Sequence, residues 1–549
     1  MNLRYYISLL FILAISITVN AQHYDKPWFY VRAADTVTEL TFERNGDVLT
    51  YTGDNIKLKQ LFKKHIIYEF KKTYRKANRR NLKKTFFVIA ESETFKDELL
   101  REVPNIFVFG ETIAPEDKKI FEPNDYGLTS TIGANIGEQI NLDYLDYLKA
   151  PEAWYYTVGE RDVIIGISDG RLDTLDADFK NKTRLIKSPH IADGHGYSSS
   201  ANAAAQGDNE HGSVGVCYNC SLYGTSYGDT RNLKNLKELS DMGVRIINCS
   251  WASVSSYDTA QEVINEMWDN GTIVIASSGN KKWQDTKGQV FHYPASYDHV
   301  ISVGSVMYRN DSWHDNLKYT ANNTYYGENI KHYLGRTIGF ANNDTLVPPK
   351  IWPISIPTLN SKVDILTPTV GLFRYSRYML ENFKLMYSEY ATTSGAAPIV
   401  SGTVGLMLSL NPCLPVEEIE PILKMASTNI DYLEVNRPYK GNYGAGALST
   451  GNTIKLLYSL YTEDAVSVIE NQDFSRWDFT VRSFSEKTII RNQKFREDAT
   501  LELTATQQVV LEPGTHLKPN TEGGILLKID PTLTKECELR LRDPSLFKK

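Results

Sequence analysis

Cysteine is scarce in this chain, at five residues in 549, and the spacing of the few does not build a metal site. Cys217 and Cys220 form a CxxC, but no second CxxC and no paired histidine spacing follows, so a zinc site lacks support and a local disulfide stays open. Cys249 lies in an apolar run and reads as a small buried hydrophobe, while Cys413 and Cys537 are too isolated for pairing to be argued. Excess positive charge is also missing: the net charge is −6, which argues against nucleic acid as a partner. After the N-terminus no apolar run approaches the length of a membrane span, so no stable span is expected. A convincing acidic loop for calcium is absent as well.

What is present begins with a leader. Arg4 precedes the apolar stretch Ile7–Val19, and Ala21 puts a small residue just before Gln22, which reads as a secretory signal over 1–21 and an exported or cell-envelope protein. Composition, 42% hydrophobic and 23% charged, allows a large core divided among two or three domains.

Three segments carry chemistry. Val163–Ser168 is an apolar run ending in Asp169, as in a buried parallel strand that delivers a carboxylate at its C-terminal edge. His211 is followed by Gly212, Ser213 and small or branched residues, as at the start of a tightly packed helix. Ser394 opens a long stretch of small and apolar residues to Leu410, with Pro398 in its first turn, which places the hydroxyl at a helix N-terminus. A serine hydroxyl becomes a nucleophile when an imidazole takes its proton and a carboxylate orients that imidazole, so Asp169, His211 and Ser394 form a chemical set. Gly271–Asn280 reads as a strand ending in a turn that presents Asn280, an amide suited to hold an oxyanion.

With these segments, LKAPEAW (Leu148–Trp154), GVRIINCSW (Gly243–Trp251), YPASYDHVISVGSV (Tyr293–Val306) and VDILTP (Val363–Pro368), the chain resembles the subtilisin-like serine peptidases, or subtilases. The resemblance implies an α/β domain with a doubly wound, mostly parallel sheet over 122–462, preceded by a small α+β propeptide over 22–121 and followed by a small β-rich domain over 463–549. It implies a serine endopeptidase made as a zymogen, with polypeptides and its own propeptide as partners and no required cofactor. Structural calcium, common in the family, has no assigned ligands here. It also implies a pocket for the residue preceding the scissile bond, lined by Cys249, Ser250, Trp251, Ala276, Ser277, Ser278 and Gly279. Small walls without an acid suit a bulky apolar side chain. Two departures motivate a rival reading as a catalytically impaired binding module: Gly170 follows Asp169 where the family usually has Thr or Ser, and Thr392 stands where it usually has Gly. An esterase reading lacks its Gly-x-Ser-x-Gly elbow around Ser394.

The flanking regions have their own patterns. Ile56–Lys84 holds twelve Lys or Arg against Glu69 alone, with apolar residues at helix-like intervals, and is expected as one amphipathic helix. Strand, helix and strand should follow at Thr85–Glu91, Phe95–Val103 and Asn105–Glu111, giving a β-α-β-β-α-β unit similar to a subtilase propeptide. Beyond Tyr461, DFTVRS, TLELTA, QVVLEPGTHL and GILLKIDP read as strands broken by Pro-Gly and Gly-Gly.

Overall fold

The computed structural model describes residues 23–547 apart from 24–25, 36–39, 47, 74–79, 124, 127–139, 190–193, 210, 288–289 and 375–385. The signal segment expected over 1–21 lies outside these. The chain divides into two compact units, Met1–Lys119 and Ile120–Lys549.

In the first unit four antiparallel strands lie in the order Ile67–Lys72, Thr85–Ala90, Trp28–Ala33, Phe107–Thr112. Helices Ile56–Lys64 and Thr94–Glu102 join them in a β-α-β-β-α-β succession, over a core that includes Phe29, Phe62, Phe70, Phe95 and Leu99. The basic stretch is not one helix. It stops at Lys64, where His65 is extended (φ −118°, ψ 148°), and resumes as a strand. The β-branched and aromatic run Ile66–Phe70 favours a pleated surface, and Ile67 and Phe70 bury in the sheet.

The second unit is built on seven parallel strands: β1 (Ile164–Ser168), β2 (Thr183–Leu185), β3 (Ser221–Thr225), β4 (Ile246–Cys249), β5 (Ile273–Ser277), β6 (Val300–Val306) and β7 (Ile365–Pro368), ordered β7-β6-β5-β4-β1-β3-β2. β4, β5 and β6 are buried along their whole length, as strands covered on both faces must be. The helix Ala396–Leu410 is buried at every residue and packs against this sheet and against the helix His195–Ala204. Among the described residues Thr393–Leu410 is the one helical stretch long and apolar enough to cross a membrane, and it is 89% buried in the core.

Residues 466–529 wind into three coils. Val466–Glu470, Lys487–Arg491 and Val509–Leu511 stack in parallel, as do Asp473–Phe474, Lys494–Glu497 and His516–Pro519, and Asp478–Ser483, Thr500–Ala505 and Gly524–Ile529. This is a short parallel β-helix with Phe474, Phe479 and Phe495 packed together inside, their rings tilted or edge-on to one another. One corner is left-handed in every coil, at Asn471 (φ 67°), Asn492 (φ 45°) and Gly514 (φ 84°), and Asn492 Nδ2 donates to Asn471 Oδ1. The coil belongs to the same compact unit as the seven-stranded sheet. A Cys413–Cys537 disulfide and the ion pair of buried Glu418 with half-buried Arg482 fasten it there, and Cys217 bonds Cys220.

Candidate active site

Asp169 follows β1 at the point where the strand order reverses, since β1 lies between β3 and β4. Open parallel sheets carry their clefts at such points. The carboxylate is fully buried and is held by four donors. Oδ1 accepts from His195 Nδ1 (2.7 Å), Gly170 N (2.5 Å) and Tyr227 OH (3.2 Å), and Oδ2 accepts from Ser199 Oγ (2.8 Å). Such donors compensate the cost of desolvating a charge.

The imidazole that meets Asp169 is therefore His195, not His211. His195 opens the helix His195–Ala204, whose residues from Ser198 onward are all Ser, Ala or Asn and permit close packing. A Cβ at Gly196 would lie 2.2 Å from Gly170 O, so only glycine lets this helix approach the turn after Asp169. His211 instead sits in a loop, its ring half exposed and 3.5 Å from Asp176. Gly212 (φ +60°) and Ser213 N wrap around Asp178 there, so the segment bends rather than entering a helix. The cue that missed His195 was available: it too is followed by glycine, and by a longer run of small residues.

Ser394 lies in the single turn Thr393–Gly395 that leads into the helix Ala396–Leu410. Its carbonyl accepts from Ser250 Oγ (2.8 Å). Thr392 is extended at φ −104°, so the β-branched side chain is unstrained. Asn280 follows the turn after β5. Its Oδ1 accepts from Thr393 N (2.8 Å) and Thr393 Oγ1 (3.1 Å), and because a backbone N–H can only donate, the amide orientation is set. Its NH₂ group is left to donate elsewhere, and among the described residues it has no acceptor.

His195, Ser199, Asn280, Thr392 and Ser394 line one cleft of about 220 Å³. A second, of about 480 Å³, shares Asn280 and Ser394 and is lined also by Ser250, Trp251, Ser277 and Gly279. Of the wall expected from the sequence, Cys249, Ala276 and Ser278 do not line this cleft. Cys249 and Ala276 are fully buried and face each other in the β4–β5 ladder, and buried Ser278 turns its hydroxyl to Thr358 O. Burial and the Asp169 charge push the Cys249 thiol up, away from reactivity. Lys281 and His292 join the wall in their place. Lys281 directly follows Asn280, whereas His292 lies twelve residues beyond Asn280 along the chain and reaches the wall only through the fold.

Two buried carboxylates, Asp125 and Asp178, sit near the His211 loop. Burial pushes Asp125 up to about 7 against the pull of Asp208 N and Asn209 N, and raises Asp178 against Asn209 Nδ2 and Ser213 N. N–H donors occupy these oxygens, which does not fit a calcium site, and no group of three His, Cys, Asp or Glu among the described residues could hold a metal.

Subtilisin DY of Bacillus licheniformis is 23% identical over 280 residues, 49% of this chain and 85% of the relative. The major intracellular serine protease of Bacillus subtilis (strain 168) is 27% identical over 180 residues, 29% of this chain and 56% of its own. The solved structure of the prenylagaramide maturation protease PagA aligns with 56% of this chain and 98% of its own at 18% identity and TM-score 0.41. The model of the subtilase family matches residues 160–446, more than half of the sequence. The chain belongs to the subtilase family, and so to the serine proteases.

Proposed function

We propose that this protein is an exported serine endopeptidase, made as a zymogen, in which Asp169, His195 and Ser394 form the catalytic triad and Asn280 serves the oxyanion. The observation that carries the reading is the 2.7 Å bond from His195 Nδ1 to buried Asp169, with His195, Asn280 and Ser394 around one cleft. An ionised carboxylate only accepts, so Nδ1 bears the proton and Nε2 of the neutral ring is the basic nitrogen. Nε2 takes the Ser394 proton as Oγ attacks the peptide carbonyl, and Asp169 stabilises the imidazolium. The oxyanion accepts from Asn280 Nδ2 and from Ser394 N–H, donors aimed at charge that develops in the transition state. His195 then protonates the leaving amine, and water attacks the acyl-enzyme by the reverse sequence. Residues 22–121 take the role of the propeptide, and residues 1–21, with the apolar stretch Ile7–Val19, that of the export signal.

Against the rival reading as a binding module stand the unstrained Thr392 and the hydroxyls of Ser199 and Tyr227, which donate to Asp169 where Gly170 has none. Fluorophosphonate labelling of the purified chain tests the proposal. Labelling of wild type and none of Ser394→Ala is expected, with unprocessed precursor accumulating in the variant. An unlabelled, folded wild type would overturn it.

A further inference from the structure

We propose that the cleft beside Ser394 recognises an acidic side chain, glutamate or aspartate, on the residue preceding the scissile bond, with Lys281 and His292 as its recognition groups. This rests on Ser394 being the nucleophile and adds the substrate class.

The two clefts share Ser394 and Asn280, so a carbonyl bound between these residues has one substituent in each. The leaving amine must face His195 to receive its proton, which puts the acyl residue's side chain in the larger cleft. That cleft contains no carboxylate. Its charged and titratable members are Lys281 and His292. Lys281 makes no ion pair among the described residues. His292 is 5% exposed, and its ring lies against the Ser278 backbone with no carboxylate partner among the described residues. Burial first, then the nearby Lys281 charge, hold the imidazole below its ordinary pKa, with the Ser278 backbone opposing. Two basic groups thus stand in each other's field at the wall of one cleft.

A carboxylate between them serves both: it neutralises the ammonium and gives the imidazole a reason to keep a second proton. An arginine or lysine meets two like groups. A bulky apolar side chain covers both without satisfying either, and sites built from polar groups reject such analogues strongly. Gly279 makes this arrangement attainable. At φ +106° it is in the left-handed region, and a Cβ there would lie 2.5 Å from His292 Nδ1. The bulky apolar preference expected from the sequence came from a wall that omitted both residues.

The test is a fluorogenic peptide series varying only the residue before the scissile bond (Glu, Asp, Gln, Leu, Phe, Arg), with active sites counted by fluorophosphonate titration. The expected kcat/KM for Glu exceeds that for Gln and Leu by about tenfold or more, and added salt erodes the Glu rate but not the Leu rate. Lys281→Glu should transfer the preference to Arg, and His292→Phe should narrow the Glu-to-Leu ratio about tenfold. Full titration with Leu or Phe preferred, or a salt-independent Glu rate, overturns the proposal and leaves the serine nucleophile standing. Failure to titrate and to cleave any peptide removes both.

Discussion

Ser199 donates a 2.8 Å hydrogen bond to Asp169 Oδ2 while His195, one helical turn earlier, bonds Oδ1. Residues four apart share a helix face, so one helix grips both oxygens of the carboxylate. Gly170 offers no hydroxyl beside Asp169, and Ser199 with Tyr227 supplies hydroxyls from elsewhere in the fold.

Ser199→Ala should therefore lower kcat/KM by about 10- to 100-fold, the effect of removing a hydrogen bond to a charged group worth about 1.5–3 kcal/mol. Losing a donor concentrates the Asp169 charge on His195 and raises the imidazole pKa, so the acidic limb of the pH–rate profile moves upward. Ser199→Thr should restore both rate and limb. A slower variant with an unmoved limb would assign Ser199 to packing alone.

Some of this site is legible in one dimension and some is not. A carboxylate after an apolar run, a serine ahead of small helical residues and an amide after a strand are local patterns, so the settings of Asp169, Ser394 and Asn280 can be read directly. Which histidine reaches Asp169 depends on the return path of the chain after β2, and both His195 and His211 precede glycine. Close packing decides it: Ser198–Ala204 can lie against the helix Ala396–Leu410, whereas Gly212 is spent on a turn around Asp178. The basic stretch misled because lysines mark exposure in helix and strand alike. The coils beyond Val466 hid because strands of two to six residues carry little periodicity, and only their stacking, Val466 on Lys487 and Thr488 on Val509, shows the repeat.

The Cys413–Cys537 bond closes a loop of 124 residues and ties the chain beyond the β-helix to the segment after the core helix. Cys537→Ser should destabilise the unit by about 2–5 kcal/mol while leaving kcat at 25 °C unchanged, since neither sulfur is near the clefts. Thermal melts with and without reductant check this: wild type should fall toward the variant on reduction. Equal melting temperatures would show that the bond adds no stability.

Stability should fall in mild acid. Burial, then the Lys331 charge, hold His332 at about 4, with Asp311 opposing. The unfolded chain, with an ordinary imidazole near 6.5, binds a proton that the folded chain refuses between about 6.5 and 4. The stability from keeping His332 neutral is thus present above 6.5 and lost as pH falls through that window. His332→Phe should lose less stability between pH 7.5 and 5 than wild type, read from urea midpoints. An identical loss would move the effect to another group.

The central claim is that His195, and not His211, serves Ser394. The direct measurement is kcat/KM for one peptide substrate with His195→Ala and His211→Ala, each checked for fold by circular dichroism. The structure predicts a loss of about 10⁴-fold or more for His195→Ala and a change within about threefold for the half-exposed His211. A folded His211→Ala variant without activity, beside an active His195→Ala, would contradict it.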